Sequence, residues 1–136
     1  MVDCETREGI QLRPEVVGLI VRPGKSSKTP YWKLTDLRVF GKPSAWVDGR
    51  IDFLLRDTRG MPVSGIDVLL VWAEGLIMEQ TNRRGRARLT VWDTFDHSTG
   101  CGKCWAGLVD PSDEVHGIGI PIGNRVVYRL VYTRLD

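Results

Sequence analysis

Two stretches of this sequence decide its fold: Asp57-Thr58-Arg59-Gly60-Met61-Pro62-Val63-Ser64-Gly65-Ile66-Asp67-Val68 and Thr81-Asn82-Arg83-Arg84-Gly85-Arg86-Ala87-Arg88-Leu89-Thr90-Val91. In each stretch, a polar turn that uses glycine separates two strand-like runs. Glycine suits such turns because it adopts positive φ without a Cβ clash. Pro62 presets the backbone and cannot donate a ladder hydrogen bond, which fits the start of a strand. The two stretches therefore predict hairpin units of a small antiparallel sandwich.

Period-two alternation continues on both sides of these stretches, and helical periodicity is scarce. Gly65–Trp72 is apolar on both faces, so we expect a central strand that is covered on both sides, with Trp72 in the core. The predicted strands are Val16–Val21, Tyr31–Phe40, Trp46–Asp57, Gly65–Trp72, Gly75–Asn82, Arg86–Trp92, Lys103–Val109, Val115–Ile120 and Arg125–Thr133. The pattern favours an all-β fold, an immunoglobulin-like or transthyretin-like antiparallel sandwich.

The first thirty residues have a different composition, rich in proline and with the polar run Gly24-Lys25-Ser26-Ser27-Lys28. We expect an extended N-terminal arm over residues 1–14 and a loop over 22–30. The predicted division is an arm and loop over 1–30 and a β-sandwich domain over 31–136. The N-terminus carries acids and lacks the apolar run of a signal peptide, which predicts synthesis in the cytoplasm without a signal peptide. The alternative is a chain whose natural N-terminus was removed, which would be found at the cell surface.

The composition is that of an ordinary globular protein, with 42% hydrophobic and 26% charged residues. The formal net charge of +2 does not favour a nucleic-acid partner. No run approaches the roughly 18 apolar residues of a membrane helix, so no membrane partner is expected. Arginines cluster at Arg83, Arg84, Arg86 and Arg88. They are either a solvated hairpin or a docking patch for an acidic surface, and Arg84 and Arg86 are the predicted binding residues.

Cys101-Gly102-Lys103-Cys104 is a Cys-x-x-Cys motif with His97 shortly before it. Two thiolates at this spacing can bind one zinc ion, which makes Cys101, Cys104 and His97 the candidate metal ligands. The fourth ligand could be Cys4, Asp93 or His116. Because there is no second Cys-x-x-Cys, a local disulfide or two thiols are the alternatives, and the main expectation is no cofactor.

Five tryptophans are present. Because tryptophan is usually largely buried, packing in the core is the ordinary explanation for each of them. Trp92 and Trp105 flank the cysteine-containing loop and are the better candidates for an exposed platform on which a sugar ring could stack.

Groups that could support catalysis are sparse: there are two histidines, and no nucleophile, zinc-protease or phosphate-loop motif occurs. We therefore expect a protein that is not an enzyme. The acidic run Asp110, Asp113 and Glu114 could bind calcium, but its spacing is better explained by a solvated turn.

Residues 57–91 resemble the carboxypeptidase-regulatory-like and bacterial immunoglobulin-like sandwich domains. The matching positions are Asp57, Gly60, Pro62, Val63, Gly65, Val68, Thr81, Gly85 and Ala87. A closer likeness runs from Tyr31 to the C-terminus and is to accessory domains beside cell-wall hydrolases of filamentous and thermophilic bacteria and their phages. It rests on Tyr31–Leu34, Trp72, Pro111–Gly119 and Tyr128–Arg134, with Tyr132 in place of a phenylalanine. The resemblance implies a fold and does not specify a chemistry.

Two functions are expected from these features. The first is a structural protein of a large assembly, a phage virion decoration or tail component, whose arm reaches other subunits, including copies of itself. Such a protein would be located in the virion. The alternative is a cell-wall or carbohydrate-binding module at the cell surface, which would bind wall polysaccharide through Trp92, Trp105 and the loop over 93–104.

Overall fold

A computed structural model of the chain describes residues 5–6, 9–14, 19–25, 28–42, 50–72, 75–90, 104–118 and 125–136. These residues form eleven strands and no α-helix. The strands are β1 (Glu5–Thr6), β2 (Gly9–Leu12), β3 (Ile20–Arg22), β4 (Tyr31–Lys42), β5 (Arg50–Arg56), β6 (Asp67–Trp72), β7 (Gly75–Gln80), β8 (Arg86–Thr90), β9 (Cys104–Leu108), β10 (Glu114–Ile118) and β11 (Arg125–Leu135).

The strands form two sheets, so the predicted all-β sandwich is confirmed. The six-stranded sheet has the order β1-β2-β4-β11-β5-β8, and the five-stranded sheet has the order β3-β10-β9-β6-β7. Every pair of adjacent strands is antiparallel except β5 and β11, which run parallel, with Tyr128 opposite Ile51 and Tyr132 opposite Leu55. Hairpin signals report only neighbours along the chain, which explains why the sequence pattern did not indicate this parallel pair.

The core lies between the inner faces of the two sheets. Strand β5 shows the pattern most clearly, since Ile51, Phe53 and Leu55 are buried while their neighbours are partly exposed. The ring of Phe53 stacks on Tyr132 at a centroid distance of 6.3 Å. The largest fully buried side chains of this core are Trp32, Tyr128, Tyr132, Phe53, Ile51, Leu55, Leu70, Ile118, Leu130, Val39 and Val68. Trp72 packs against this core and is partly buried.

The two turns that decided the fold have the same hydrogen bonding. The Asp57 carboxylate accepts from the backbone N–H groups of Arg59 and Met61 at 2.9 and 3.0 Å. The side-chain oxygen of Asn82 accepts from the backbone N–H groups two and four residues later, at 2.9 and 3.1 Å. Each turn closes with a glycine at positive φ, 83° at Gly60 and 71° at Gly85. A short side-chain acceptor followed by glycine thus specifies both turns locally.

Buried hydrogen bonds connect the second turn, Asn82–Gly85, to the chain around the first turn, Asp57–Gly60. Thr81 is buried, and its hydroxyl accepts from Ile66 N at 3.0 Å and donates to Val63 O at 2.9 Å. The carbonyl oxygen of Gly85 accepts from Leu55 N at 2.8 Å. Because these groups satisfy one another, the link between β5, β6 and β8 does not depend on solvent.

Strands also form within the segment predicted as an N-terminal arm and loop. Strand β2 pairs with β4, and β3 pairs with β10, so the described parts of residues 1–30 extend both sheets. Within this segment β1 and β3 are the outermost strands, one in each sheet.

Asp113 is a buried carboxylate that joins the two sheets. The prediction that the acidic run is a solvated turn is therefore wrong for Asp113. Its Oδ1 accepts from the hydroxyl of Tyr31 at 2.7 Å, and its Oδ2 accepts from Leu34 N at 2.9 Å. The hydroxyl of Tyr132 donates to the Asp113 backbone carbonyl at 2.9 Å. Burial, more than the neighbouring Asp113 carboxylate, raises the pKa of both tyrosine hydroxyls above 10.0. The acidic run therefore has a structural role at Asp113.

Candidate binding surface

The outer face of the five-stranded sheet carries a row of residues that crosses every strand and is apolar on each strand except β10, which contributes His116. In the register, Ile20 of β3 lies opposite His116, His116 opposite Trp105, Trp105 opposite Val71, and Val71 opposite Leu76 of β7. Residues directly opposite each other project from the same side of a sheet. Because Val115, Ala106 and Leu70 point into the core, this row points outward.

A second pair of apolar residues widens the row. Leu69 and Met78 lie opposite each other on the same face, next to Val71 and Leu76. We call this surface, formed by Ile20, Leu69, Val71, Leu76, Met78 and Trp105, the apolar face. The exposed fractions of Ile20, Leu76 and Met78 are 54%, 53% and 51%, whereas Leu69 is 8% exposed. The apolar face is therefore about half exposed to solvent at both ends and buried at Leu69, near its middle.

Trp105 lies in the middle of the apolar face, on the central strand β9. A Cβ atom at Gly107 would lie 3.1 Å from the Trp105 ring, so the absence of a side chain at Gly107 leaves room for the indole. The indole also stacks on the ring of His116, with centroids 5.8 Å apart and planes at 23°. His116 Nε2 lies 2.9 Å from Glu114 Oε1, which orients the imidazole. Trp105, a predicted binding residue, is thus held in a fixed orientation at a partly exposed position.

The bulge that follows this cluster keeps the strand in register with the core. Between His116 and Ile118 the pairing of β10 with β9 shifts, and Gly117 has a φ of 89°. The extra residue returns Ile118 to the inner face opposite Cys104, while His116 stays on the outer face beside Trp105.

The predicted arginine residues lie on the other sheet. Arg86 is exposed on β8, opposite Leu54 of the six-stranded sheet, and Arg84 is exposed in the turn before it. The structure therefore places Arg86 and Trp105 on the outer faces of opposite sheets. Arg86 instead lines a cavity of about 680 Å³ together with Arg50, Asp52, Phe53, Leu54, Asn82, Ala87, Arg88 and Arg129.

The predicted zinc site falls mainly outside the described residues. Cys104 is described, and its side chain lies in the core with an exposed fraction of 1%. Cys101, His97 and the other proposed binding residue Trp92 lie outside the described residues. Within the described ranges, no group of three or more histidine, cysteine, aspartate or glutamate side chains could hold a metal ion. Zinc at Cys101, Cys104 and His97 stays a prediction.

Sequence reasoning missed most of the residues that form these surfaces. Ile20, Leu76 and Met78 sit in short edge strands, where a single exposed apolar residue carries no signal on its own. Arg50 joins Arg86 because β5 pairs with β8, and Arg129 joins them because β11 lies beside β5 in the sheet. Leu76 and Met78 together did give a signal, since they alternate with Ile77, which packs against the core.

Comparison with protein-family models and with curated proteins finds no match to this chain. The resemblance to accessory domains of cell-wall hydrolases therefore stays a hypothesis. In the part of the chain that the structure describes, no helix has the length and apolar character needed to cross a membrane.

Proposed function

We propose that this protein is a non-enzymatic structural subunit of a large assembly and that it binds neighbouring subunits through the apolar face. The observation that carries the proposal is one row across the five strands in which Trp105, Val71 and Leu76 are direct neighbours and Ile20 lies on the far side of His116, with both ends of the row half exposed. Isolated exposed apolar residues are common, but a contiguous apolar surface marks an interaction site.

The shape of the surface favours a protein partner over a small ligand. A sheet face is flat, and a second sheet can pack on it at about 10 Å with interdigitating side chains. Aromatic and methionine side chains are enriched at the centres of protein interfaces, and Trp105 and Met78 are of these types. The occupant that we propose is therefore a flat, apolar surface of the next subunit.

The kind of assembly that we propose is a phage particle, with this protein as a decoration or tail component. The support is the resemblance of Tyr31–Arg134 to domains found in bacterial and phage proteins, together with the position of β1 and β3 at sheet edges. Edge strands have backbone groups that can pair with another chain. The N-terminal segment would then contact a neighbour while the sandwich remains intact, and the protein would be located in the virion.

The test is sedimentation of the native protein. An unfractionated lysate of the source is separated on a density gradient, and the fractions are analysed by mass spectrometry. We expect the protein to run with megadalton particles alongside capsid or tail proteins. Migration near its own mass of 15.3 kDa would contradict the proposal.

Two variants test whether the apolar face makes the contact with the rest of the assembly. Leu76→Gln with Met78→Gln changes two half-exposed side chains, so we expect the fold to persist and the protein to leave the particle fractions. Met61→Gln is the matched control, because Met61 is 60% exposed in the turn after β5, away from the apolar face. If the double variant sediments like Met61→Gln, the apolar face is not the contact surface.

A cell-wall or carbohydrate-binding module is the second candidate, and the geometry around Trp105 favours it specifically. A partly exposed indole beside the His116–Glu114 pair offers a stacking surface next to hydrogen-bonding groups, which is the combination that sugar rings need. Here the Trp105→Ala variant is expected to lose binding to purified cell-wall polysaccharide. Wild-type protein that does not bind the polysaccharide would eliminate this candidate.

A further inference from the structure

Strand β3 forms an edge of the five-stranded sheet at which apolar side chains are exposed on both faces. Ile20 projects outward in the row that contains His116, and its exposed fraction is 54%. Val21 lies opposite the core residue Val115 and so projects between the two sheets, yet its exposed fraction is 45%. Because inward-projecting side chains of a sandwich ordinarily form its core, Val21 marks an edge at which the core is open.

The edge strands β7 and β8 differ from β3 on the inner side. On β7, Glu79 lies opposite the core residue Val68, so a charged side chain projects inward at that edge. An inward charge of this kind protects an edge from pairing with another chain. On β8, Ala87 and Leu89 are already buried. Among β3, β7 and β8, therefore, β3 is the edge with an apolar side chain exposed on the inner side.

Contacts at both ends hold β3 in place. Leu19, directly before the strand, packs in the core, and its N–H donates to Pro14 O at 3.0 Å. Gly24, shortly after the strand, donates its N–H to the hydroxyl of Tyr31 at 2.8 Å. A Cβ atom at Gly24 would collide with the backbone carbonyl of Ser112. The edge is thus fixed before any partner arrives, which lowers the entropy cost of pairing with another strand.

The sequence of β3 is complementary to a second copy of itself. In an antiparallel pair centred on Val21, the two Val21 side chains lie opposite each other on the inner side, and Ile20 of each copy lies opposite Arg22 of the other on the outer side. The two arginines are therefore not directly opposite, which avoids repulsion between like charges. The methylene groups of Arg22 can cover Ile20 of the second copy. Because antiparallel strands exchange backbone bonds at alternate residue pairs, the pairing adds about two to four hydrogen bonds.

We propose that β3 pairs with β3 of a second copy of this chain, so that the two five-stranded sheets join into one continuous sheet. Two identical strands that pair in antiparallel fashion are related by a two-fold axis, which gives a closed dimer. This axis is perpendicular to the sheet, so both apolar faces lie on the same side and are available to the next subunit. The pairing deepens the proposed function and rests on it only for the statement that the dimer is a unit of the assembly.

The first test is sedimentation equilibrium of the purified full chain from about 10 µM to about 1 mM, since a contact well below roughly 800 Å² per partner gives modest affinity. We expect a monomer and a dimer of twice the 15.3 kDa chain mass. The expected dissociation constant is on the order of 100 µM. Val21→Lys places an inward charge at the edge and should raise this constant at least about tenfold.

Val109→Lys is the matched control for Val21→Lys. Val109 is also a half-exposed valine, with an exposed fraction of 56%. It follows β9, and its N–H donates to Asp67 O of β6, on the side of β9 away from β3. We expect its dissociation constant to stay within about twofold of wild type.

Disulfide trapping tests the register and does not depend on how well Val21→Lys folds. Under mild oxidation, Val21→Cys should give a dimer linked through position 21, because Cβ atoms of directly opposite residues lie within disulfide range. Val109→Cys should give no link through position 109. Peptide mapping separates these links from those of the three native cysteines.

The outcomes decide between β3 and other contacts. A wild-type protein that is monomeric up to about 1 mM would overturn the pairing, because even a weak interface is populated there. A Val21→Lys variant that is folded by circular dichroism and dimerises like wild type would also overturn it. A wild-type dimer without a trapped link at position 21 would overturn the register. Because purified protein is measured without the particle, failure here leaves the gradient sedimentation of the apolar-face variants unaffected, and the reverse also holds.

Discussion

The two glycine turns provide a matched pair of substitutions with very different expected costs. Gly60 and Gly85 occupy equivalent positions and have similar φ, 83° and 71°. Their surroundings differ. A Cβ atom at Gly60 would have nothing within 4 Å, whereas one at Gly85 would lie 2.3 Å from Leu55 O and 3.1 Å from Val63 N. We therefore expect Gly85→Ala to destabilise the protein much more than Gly60→Ala.

The magnitudes follow from the contacts. Positive φ costs alanine about 1–2 kcal/mol, and the reduced entropy of the unfolded chain returns about 0.4–1 kcal/mol, so Gly60→Ala should cost about 1 kcal/mol. At Gly85 the new methyl group enters the hydrogen bond from Val63 N to Leu55 O and displaces the one from Leu55 N to Gly85 O. Leaving a buried backbone group without its partner adds about 1–3 kcal/mol. The expected total is about 3 kcal/mol.

The assay is urea unfolding of both variants and wild type, monitored by tryptophan fluorescence, with the free energy of unfolding extrapolated to water. For a chain of this size, a difference of about 2 kcal/mol corresponds to a difference in Tm of about 8 °C. Equal losses of stability in Gly60→Ala and Gly85→Ala would refute the reasoning, because the positive φ alone would then account for the cost. A lower m-value in one variant would instead indicate a changed unfolded state.

Three further predictions concern buried polar groups. Asp113→Ala leaves two donors without an acceptor and should lower the free energy of unfolding by about 3 kcal/mol, whereas Asp110→Ala, at an exposed position, should change it by less than about 0.5 kcal/mol in the same urea assay. The folded state raises the pKa of Tyr132 above its unfolded value of 10.0 and so holds that proton more tightly. Stability should therefore be unaffected by this group below about pH 10 and fall above it by about 1.4 kcal/mol per pH unit, a slope that Tyr132→Phe should remove. Thr81→Val should cost about 2 kcal/mol because two backbone groups lose their partner; thermal unfolding that matches wild type would contradict that role.

The local parts of the fold could be predicted from the sequence because their causes are local. An Asp or Asn acceptor with a glycine three residues later specifies each turn, as Asp57 with Gly60 and Asn82 with Gly85 demonstrate. Alternation located strands such as β5 for a similar reason, since one face of β5 is buried. The predicted strands Tyr31–Phe40, Gly65–Trp72 and Arg125–Thr133 correspond to β4, β6 and β11.

The candidate sites could be predicted only in part because they depend on which strands become neighbours. The sequence indicates Trp105 by its place beside a polar loop, and the structure places it at the centre of the apolar face. The local arginine cluster indicates Arg86, but the residues that line the cavity with it include Arg50 and Arg129, which come from β5 and β11. The buried role of Asp113 was also missed, because its donors are far away in the sequence. None of these pairings has a local signal.

The parallel pairing of β5 with β11 has a consequence for how the chain folds as it is synthesised. Strand β11 lies between β4 and β5, so these two strands do not pair with each other. The ribosome makes β11 after every other described strand. Until then, β4 and β5 each keep an unpaired edge, and the six-stranded sheet lacks its middle. We therefore expect this sheet to form late and almost all at once, with contacts distant in sequence setting the rate.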